Sequence, residues 1–262
     1  MTHPHSGPGP AVPSVPGGHG TPPGRTGPGV PLSIWPDLPA ARRCAGPVTV
    51  AAAGQVIAAF SRPGDLVAAP DGSAAVIEAA AAARRHVLGL IPASVRDARA
   101  LAGLQSRLDP AARPLARLRP GGPDLLLAPG DPDAGRAALA ITSWCSRGSC
   151  PGPQAGSDDG PGPGLLYAAC QRVLRPGGVL AVITTSPAPD GQLPDLAGHA
   201  VAHARAAGLV YAQHIVLVHA AIRGDQLAPD PATAGSASPP GGCHVHSDLL
   251  VFTKPGGTTR HA

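Results

Sequence analysis

Phe60-Ser61-Arg62-Pro63-Gly64-Asp65-Leu66-Val67-Ala68-Ala69-Pro70-Asp71-Gly72-Ser73, with its continuation to residue 108, is the stretch whose reading decides the fold. Ser61 to Asp65 reads as a turn, and Leu66, Val67 and Ala68 as a short apolar strand. Pro70-Asp71-Gly72-Ser73 reads as a loop, and an Ala-rich helix runs through Glu78 to Arg84 with Ser73 placed to cap it. A second strand follows at residues 86–91. A second helix opens at Ser94-Val95-Arg96-Asp97, where Asp stands in for the Glu of a capping box, and Val95, Ala98, Leu101, Ala102, Leu104 and Leu108 keep helical spacing. A strand that passes through a Gly-containing loop into a helix N-terminus is how α/β proteins hold the anionic or ribose-bearing part of a nucleotide-like cofactor. Loop N–H groups and the helix dipole converge there.

The same alternation continues along the chain. A weak third strand lies within residues 114–120, and a fourth is expected at 124–128 (Asp124-Leu125-Leu126-Leu127-Ala128). A helix at 165–174, a fifth strand at 179–185 and a helix at 193–207 come next, then consecutive strands at 211–222 and 247–253. Such a pattern implies an α/β fold with a doubly wound, mainly parallel sheet that ends in an antiparallel strand pair. Residues 47–255 form the expected domain. Residues 1–46 read as a mostly disordered Pro/Gly-rich tail, 256–262 as a flexible end, and the neighbourhoods of 150–164 and 227–242 as disordered loops.

Four runs carry a family resemblance. Val56-Ile57-Ala58-Ala59-Phe60-Ser61-Arg62-Pro63-Gly64-Asp65-Leu66-Val67 and Arg84-Arg85-His86-Val87-Leu88-Gly89 resemble the first half of class I S-adenosylmethionine-dependent methyltransferases, in particular the DNA N4-cytosine/N6-adenine methylase group. Leu166 to Leu180, with its Leu174-Arg175-Pro176-Gly177-Gly178 turn, resembles the helix, turn and fifth strand of that fold. His246-Ser247-Asp248-Leu249-Leu250-Val251-Phe252 resembles its last strand. The resemblance implies a Rossmann-like methyltransferase fold, S-adenosylmethionine as cofactor and an exocyclic amino group as methyl acceptor.

It also assigns positions. The cofactor loop falls on Ala69, Pro70, Asp71, Gly72 and Ser73, where the family has Asp-Pro-Phe-x-Gly-x-Gly-Thr. The acid that holds the ribose falls on Ile91. The catalytic Ser/Asp/Asn-Pro-Pro-aromatic tetrapeptide falls on Ala128, Pro129, Gly130 and Asp131. Ala128 has no side-chain acceptor for the target amino group, and Gly130-Asp131 has no ring to stack on a flipped base. Base stacking is worth about 1–3 kcal/mol, and a charged acceptor to the ribose about 1.5–3 kcal/mol. The expectation is a methylase-like protein with weak or lost cofactor binding and reduced or lost catalysis; an active methyltransferase on DNA or another substrate is the alternative.

Composition bounds the rest. The chain has 262 residues, formal charge +4, 35 Gly and 34 Pro, and Lys254 is its single lysine. Arginine in such excess, with so much Ala, Gly and Pro, matches a GC-rich coding bias, so the arginines read first as a solvated surface; a weak DNA contact through Arg84, Arg85, Arg113, Arg117 and Arg119 near the cofactor edge is the alternative, with a protein partner of the Pro-rich tail as another. Of the six aromatic residues, Trp35 and Trp144 lie outside the expected elements and are left for stacking. Five cysteines without paired spacing suggest a reducing compartment. Cys243-His244-Val245-His246 offers too few ligands to define a metal site, so none is expected. No signal-peptide core and no apolar run of spanning length occurs, which suggests a cytoplasmic protein without a membrane partner.

Overall fold

The computed structural model describes residues 34–35, 48–91, 102–145, 162–185, 195–223, 226–228 and 246–256. Contacts divide the chain into Met1–Pro31 and Leu32–Ala262, and every described residue belongs to the second unit. Most of the expected tail, the start of the second helix, the loops near 150 and 235, and Cys243-His244 lie outside the described residues.

Strand β1 (Ile34–Trp35) is followed by helix α1 (Val50–Phe60), strand β2 (Leu66–Ala69), helix α2 (Ala74–Ala82), strand β3 (His86–Ile91) and helix α3 (residues 102–107). Strand β4 (Ala116–Pro120), strand β5 (Ala137–Cys145), helix α4 (Pro163–Val173), strand β6 (Leu174–Thr185) and helix α5 (Leu196–Ala206) come next. Strand β7 (Val210–Val218), the small pair β8 (Ala221–Arg223) and β9 (Gln226–Ala228), and strand β10 (His246–Thr253) complete the chain.

Eight strands form one sheet in the order β1-β7-β10-β6-β5-β2-β3-β4. The chain winds outward from β2 through β3 to β4, returns to the other side of β2 as β5, and continues to β6. These neighbours are all parallel. β10 is antiparallel to both β6 and β7, between which it inserts. The expected doubly wound sheet with an antiparallel end is therefore the one observed.

Both faces of the sheet are covered, so its central strands are apolar on both sides, as parallel strands usually are. Val67, Leu139, Ile141, Ala181, Ile183, Leu249 and Val251 pack with Val56 and Ile57 of α1 and Val76 and Ile77 of α2. Ala68, Ala140, Leu180, Val182, Leu250 and Phe252 pack on the other face with Tyr167, Cys170 and Val173 of α4 and Ala200 and Ala204 of α5. Gly89 gives room where α2 crosses β3: a Cβ there would stand 2.6 Å from Ile77 Cδ1 and 2.9 Å from Leu118 Cδ2, so those side-chain ends would have to shift.

Three sequence expectations need correction. Residues 124–128 are not the fourth strand: Pro123–Leu127 is a 3-10 helix that tucks Leu126 under α4's side of the sheet. Pro123 begins that turn and Gly121 before it has a φ of +129°, so the chain bends where a strand would have to run straight. The true fourth strand is β5, whose Ala137-Ala138-Leu139-Ala140-Ile141-Thr142-Ser143-Trp144-Cys145 run has the length and two-sided apolarity of a central strand. Ser73 occupies the N-cap of α2 without a side-chain bond. Trp35 lies in the expected tail, yet it pairs with Leu217 of β7 and stacks on Phe60 at 6.3 Å.

Candidate functional site at the switch point of the sheet

The winding reverses between β2 and β5, and the loops leaving the carboxyl ends of strands at such a switch point form the crevice that receives ligands in open α/β sheets. The loop from β2 enters it and leads into the N-terminus of α2. Gly72 takes a φ of +72°, and its N–H donates to Ala69 O at 3.1 Å, which closes the turn. With Ser73 making no side-chain cap, the first-turn amides of α2 keep their partial positive charge for an anionic group.

Asp71 is the one acid of this loop, and it is buried. Its Oδ2 accepts from Ser143 N at 2.9 Å, Ser143 Oγ at 3.0 Å and Thr142 Oγ1 at 3.2 Å, while Oδ1 accepts from Ser73 N at 3.1 Å. The carboxylate thus pins the β2 loop to β5 across the crevice. Burial raises its pKa above the ordinary aspartate value against the lowering effect of those four bonds.

The positions marked on the sequence divide into two groups. Ala69, Pro70, Asp71, Gly72 and Ser73 lie together at the crevice. Ile91 ends β3 beside them, buried and apolar, with no carboxylate. Ala128, Pro129, Gly130 and Asp131 do not follow the fourth strand; they lie between the 3-10 helix and β5. Asp131 Oδ2 accepts from Arg119 Nη1 at 2.7 Å and Oδ1 from Asp133 N at 2.8 Å. The buried Asp133 is paired in turn with Arg117 and, at 3.1 Å, with Arg119. Asp131 is therefore part of a brace between β4 and the segment before β5, and the missing acceptor at Ala128 says nothing about the crevice.

The segment that does end the fourth strand is Thr142-Ser143-Trp144-Cys145. Mislocating the strand hid it from the sequence reading; its Thr/Ser hydroxyls after an apolar run were the available signal. Trp144 is buried rather than free for stacking. Its ring lies 6.3 Å from Tyr167, 5.7 Å from His203 and 6.3 Å from His199, and His203 stacks on Tyr167 at 6.0 Å. Neither Trp144 Nε1 nor the Tyr167 hydroxyl has a hydrogen-bond partner among the described residues. Burial pushes both the Tyr167 hydroxyl and the Cys170 thiol well above their usual range, and the nearby Asp71 charge adds to the shift at Cys170. Farther along the same rim, His219 Nε2 and Ser247 Oγ are 2.8 Å apart.

Arg84 and Arg85 precede β3 and Arg113 precedes β4, so they stand at the amino ends of the strands, opposite the crevice they were expected to flank. No group of three or more His, Cys, Asp or Glu able to hold a metal occurs among the described residues. No helix among them is long and apolar enough to cross a membrane.

The strand order and the antiparallel last strand define a doubly wound, Rossmann-like sheet. No protein-family model matches the chain, and no curated protein does. Among solved structures it is similar to a TehB-like SAM-dependent methyltransferase from Corynebacterium glutamicum, at 16% identity over 79% of this chain and 88% of that one, with a TM-score of 0.44. It is also similar to the antibiotic-resistance methyltransferase Kmr, at 18% identity over 80% and 95%, with a TM-score of 0.45. A third is the geranyl diphosphate C-methyltransferase of Streptomyces coelicolor A3(2), solved with S-adenosyl-L-homocysteine, at 17% identity over 77% and 76%, with a TM-score of 0.46.

Proposed function

We propose that this chain is a methyltransferase-fold protein that takes S-adenosylmethionine weakly at the β2/β5 crevice and has reduced or lost methyl transfer. One observation carries the reading: the only acid in the cofactor loop, Asp71, has its carboxylate engaged by Ser143, Thr142 and Ser73 and is committed to holding the crevice together. The residues fit one end of the cofactor and not the other. The uncapped first turn of α2 and the turn at Gly72 suit the methionine carboxylate, whereas Ala69 and Ile91 offer nothing to the amine or the ribose hydroxyls. The bound cofactor would supply the methyl group; the chain supplies the amide cradle and the apolar floor.

Two lost contacts of about 1.5–3 kcal/mol each weaken binding by tenfold or more apiece. Calorimetric titration with S-adenosylmethionine is expected to give a dissociation constant well above micromolar. Submicromolar affinity would overturn the reading.

The second reading is an active enzyme that methylates an amino group of DNA or another substrate. It is favoured by the Trp144 indole N–H and Tyr167 hydroxyl, two buried donors beside the end of the fourth strand that have no partner among the described residues. Incubation with labelled S-adenosylmethionine and mixed-sequence DNA separates the two: the first reading expects no incorporation above background, and robust methylation would establish the second.

A further inference from the structure

The amino ends of the strands, opposite the crevice, carry the strongest charge pattern in the described residues. Each of seven adjacent strands has a basic residue there. Arg113 precedes β4, Arg84 and Arg85 precede β3, Arg62 lies in the turn before β2, and Arg136 immediately precedes β5. Arg172 and Arg175 flank the start of β6, Lys254 follows the end of the antiparallel β10, and Arg205 closes the helix before β7. The acids at this rim are Asp65 and Asp109, with Asp131 and Asp133 in the segment before β5 already taken up by Arg117 and Arg119, while Asp71, Asp195 and Asp248 stand at the opposite one. A coding bias toward arginine raises its number everywhere; it does not sort arginines to one end of a sheet.

The basic residues differ in what holds them. Arg85 donates to Ser61 and Ala83 O, Arg175 pairs with Asp65, and the Lys254 ammonium donates to Gln171 O and Leu174 O at the end of α4. Arg62, Arg84, Arg136, Arg172 and Arg205 are exposed and make no side-chain hydrogen bond or ion pair among the described residues. Burial, and to a lesser degree the Arg172 charge, lower the Lys254 pKa.

We propose that this rim is a binding face for the phosphate backbone of duplex nucleic acid, read without regard to sequence. Adjacent strands are about 4.8 Å apart, so seven of them spread the cations over roughly 29 Å. That length matches about eight or nine base pairs at roughly 3.4 Å each. Guanidinium forks suit phosphate oxygens. Among the described residues the aromatic at this rim, Tyr211, packs its ring on Phe252, and of the exposed large apolar residues Val210 alone is there, too little to anchor the face in a bilayer.

The face is independent of the crevice, and its test contains no cofactor. A labelled mixed-sequence duplex of about 20 base pairs is titrated with the full chain by fluorescence anisotropy at several salt concentrations between about 50 and 200 mM. With five free arginines engaged, the logarithm of the binding constant should fall with the logarithm of salt at a slope of about −4 to −5. The combined change Arg84→Ser, Arg136→Gln and Arg172→Gln should weaken binding by about tenfold or more and flatten the slope by nearly three. Arg107→Gln, whose partner is Glu78 on α2, should leave both unchanged. Thermal melting checks that each variant is folded, and the single change Arg136→Gln, at an exposed position, repeats the test should the triple variant melt early. Undiminished binding by the folded variants, no binding of duplex at low salt, or tighter binding to phosphatidylserine-containing vesicles than to duplex would each overturn the proposal.

Discussion

Asp71 shows how one side chain can decide what a crevice is available to do. In a nucleotide-like site an acid near the end of the first strand is useful because it is free to accept from the ligand; here it accepts from the protein on both oxygens. Asp71→Ala should leave buried donors on Thr142 and Ser143 without acceptors, and urea unfolding is expected to show a loss of about 2–4 kcal/mol. The pH dependence has a definite sign. Burial raises the folded-state pKa of Asp71 above its unfolded value near 3.8, so the folded chain holds the proton more tightly. Its contribution to stability is full below that unfolded pKa and is lost as pH rises through the folded one. The stability of the native chain relative to Asp71→Asn should therefore fall as pH is raised from below 3.8, then level off; a rising difference would contradict the buried-carboxylate account. Gly89 is a second residue-scale case, where space rather than chemistry sets the identity. Gly89→Ala should cost about 1–3 kcal/mol by thermal or denaturant unfolding, because Ile77 and Leu118 must both shift.

At the scale of elements, the most informative piece is the connection from β4 to β5. A helix covers most crossovers in this sheet; this one uses a five-residue 3-10 helix and a loop closed by Arg117, Arg119, Asp131 and Asp133. Asp131→Ala should therefore act on stability, lowering it by about 1–3 kcal/mol in denaturant unfolding, with no effect on S-adenosylmethionine affinity. The same connection explains why the sequence misled at this point. Asp124-Leu125-Leu126-Leu127 has strand-like apolarity over four residues, and only the bend at Gly121 and Pro123 turns it into a helical turn. β3, in contrast, was legible to the residue at 86–91, because a continuous apolar run lies between an Arg-Arg turn and a proline. β4 was weakly legible because an edge strand tolerates Pro120 and projects Arg117 and Arg119 from the sheet.

For the whole molecule, chain order and strand polarity place two opposed rims on one sheet: a crevice with an acid engaged by its own scaffold, and a basic face. The α/β alternation, the antiparallel end and the loop at residues 69–73 could be read from the sequence because each depends on local pattern. The partners of Asp71 could not, since Thr142 and Ser143 are some seventy residues away and join it only when β5 pairs with β2. The distribution of arginines was hidden for the same reason: Arg62, Arg84, Arg136 and Arg172 are scattered along the chain and become neighbours only through the order of the strands. The central claim is that the crevice at the β2/β5 switch point, and no other part of the sheet, receives the cofactor. Amide hydrogen exchange with and without millimolar S-adenosylmethionine tests it most directly. Slower exchange confined to residues 71–77 and 143–144 is the expected result; unchanged exchange there, or slowing at the β4 edge or the arginine rim instead, would contradict it.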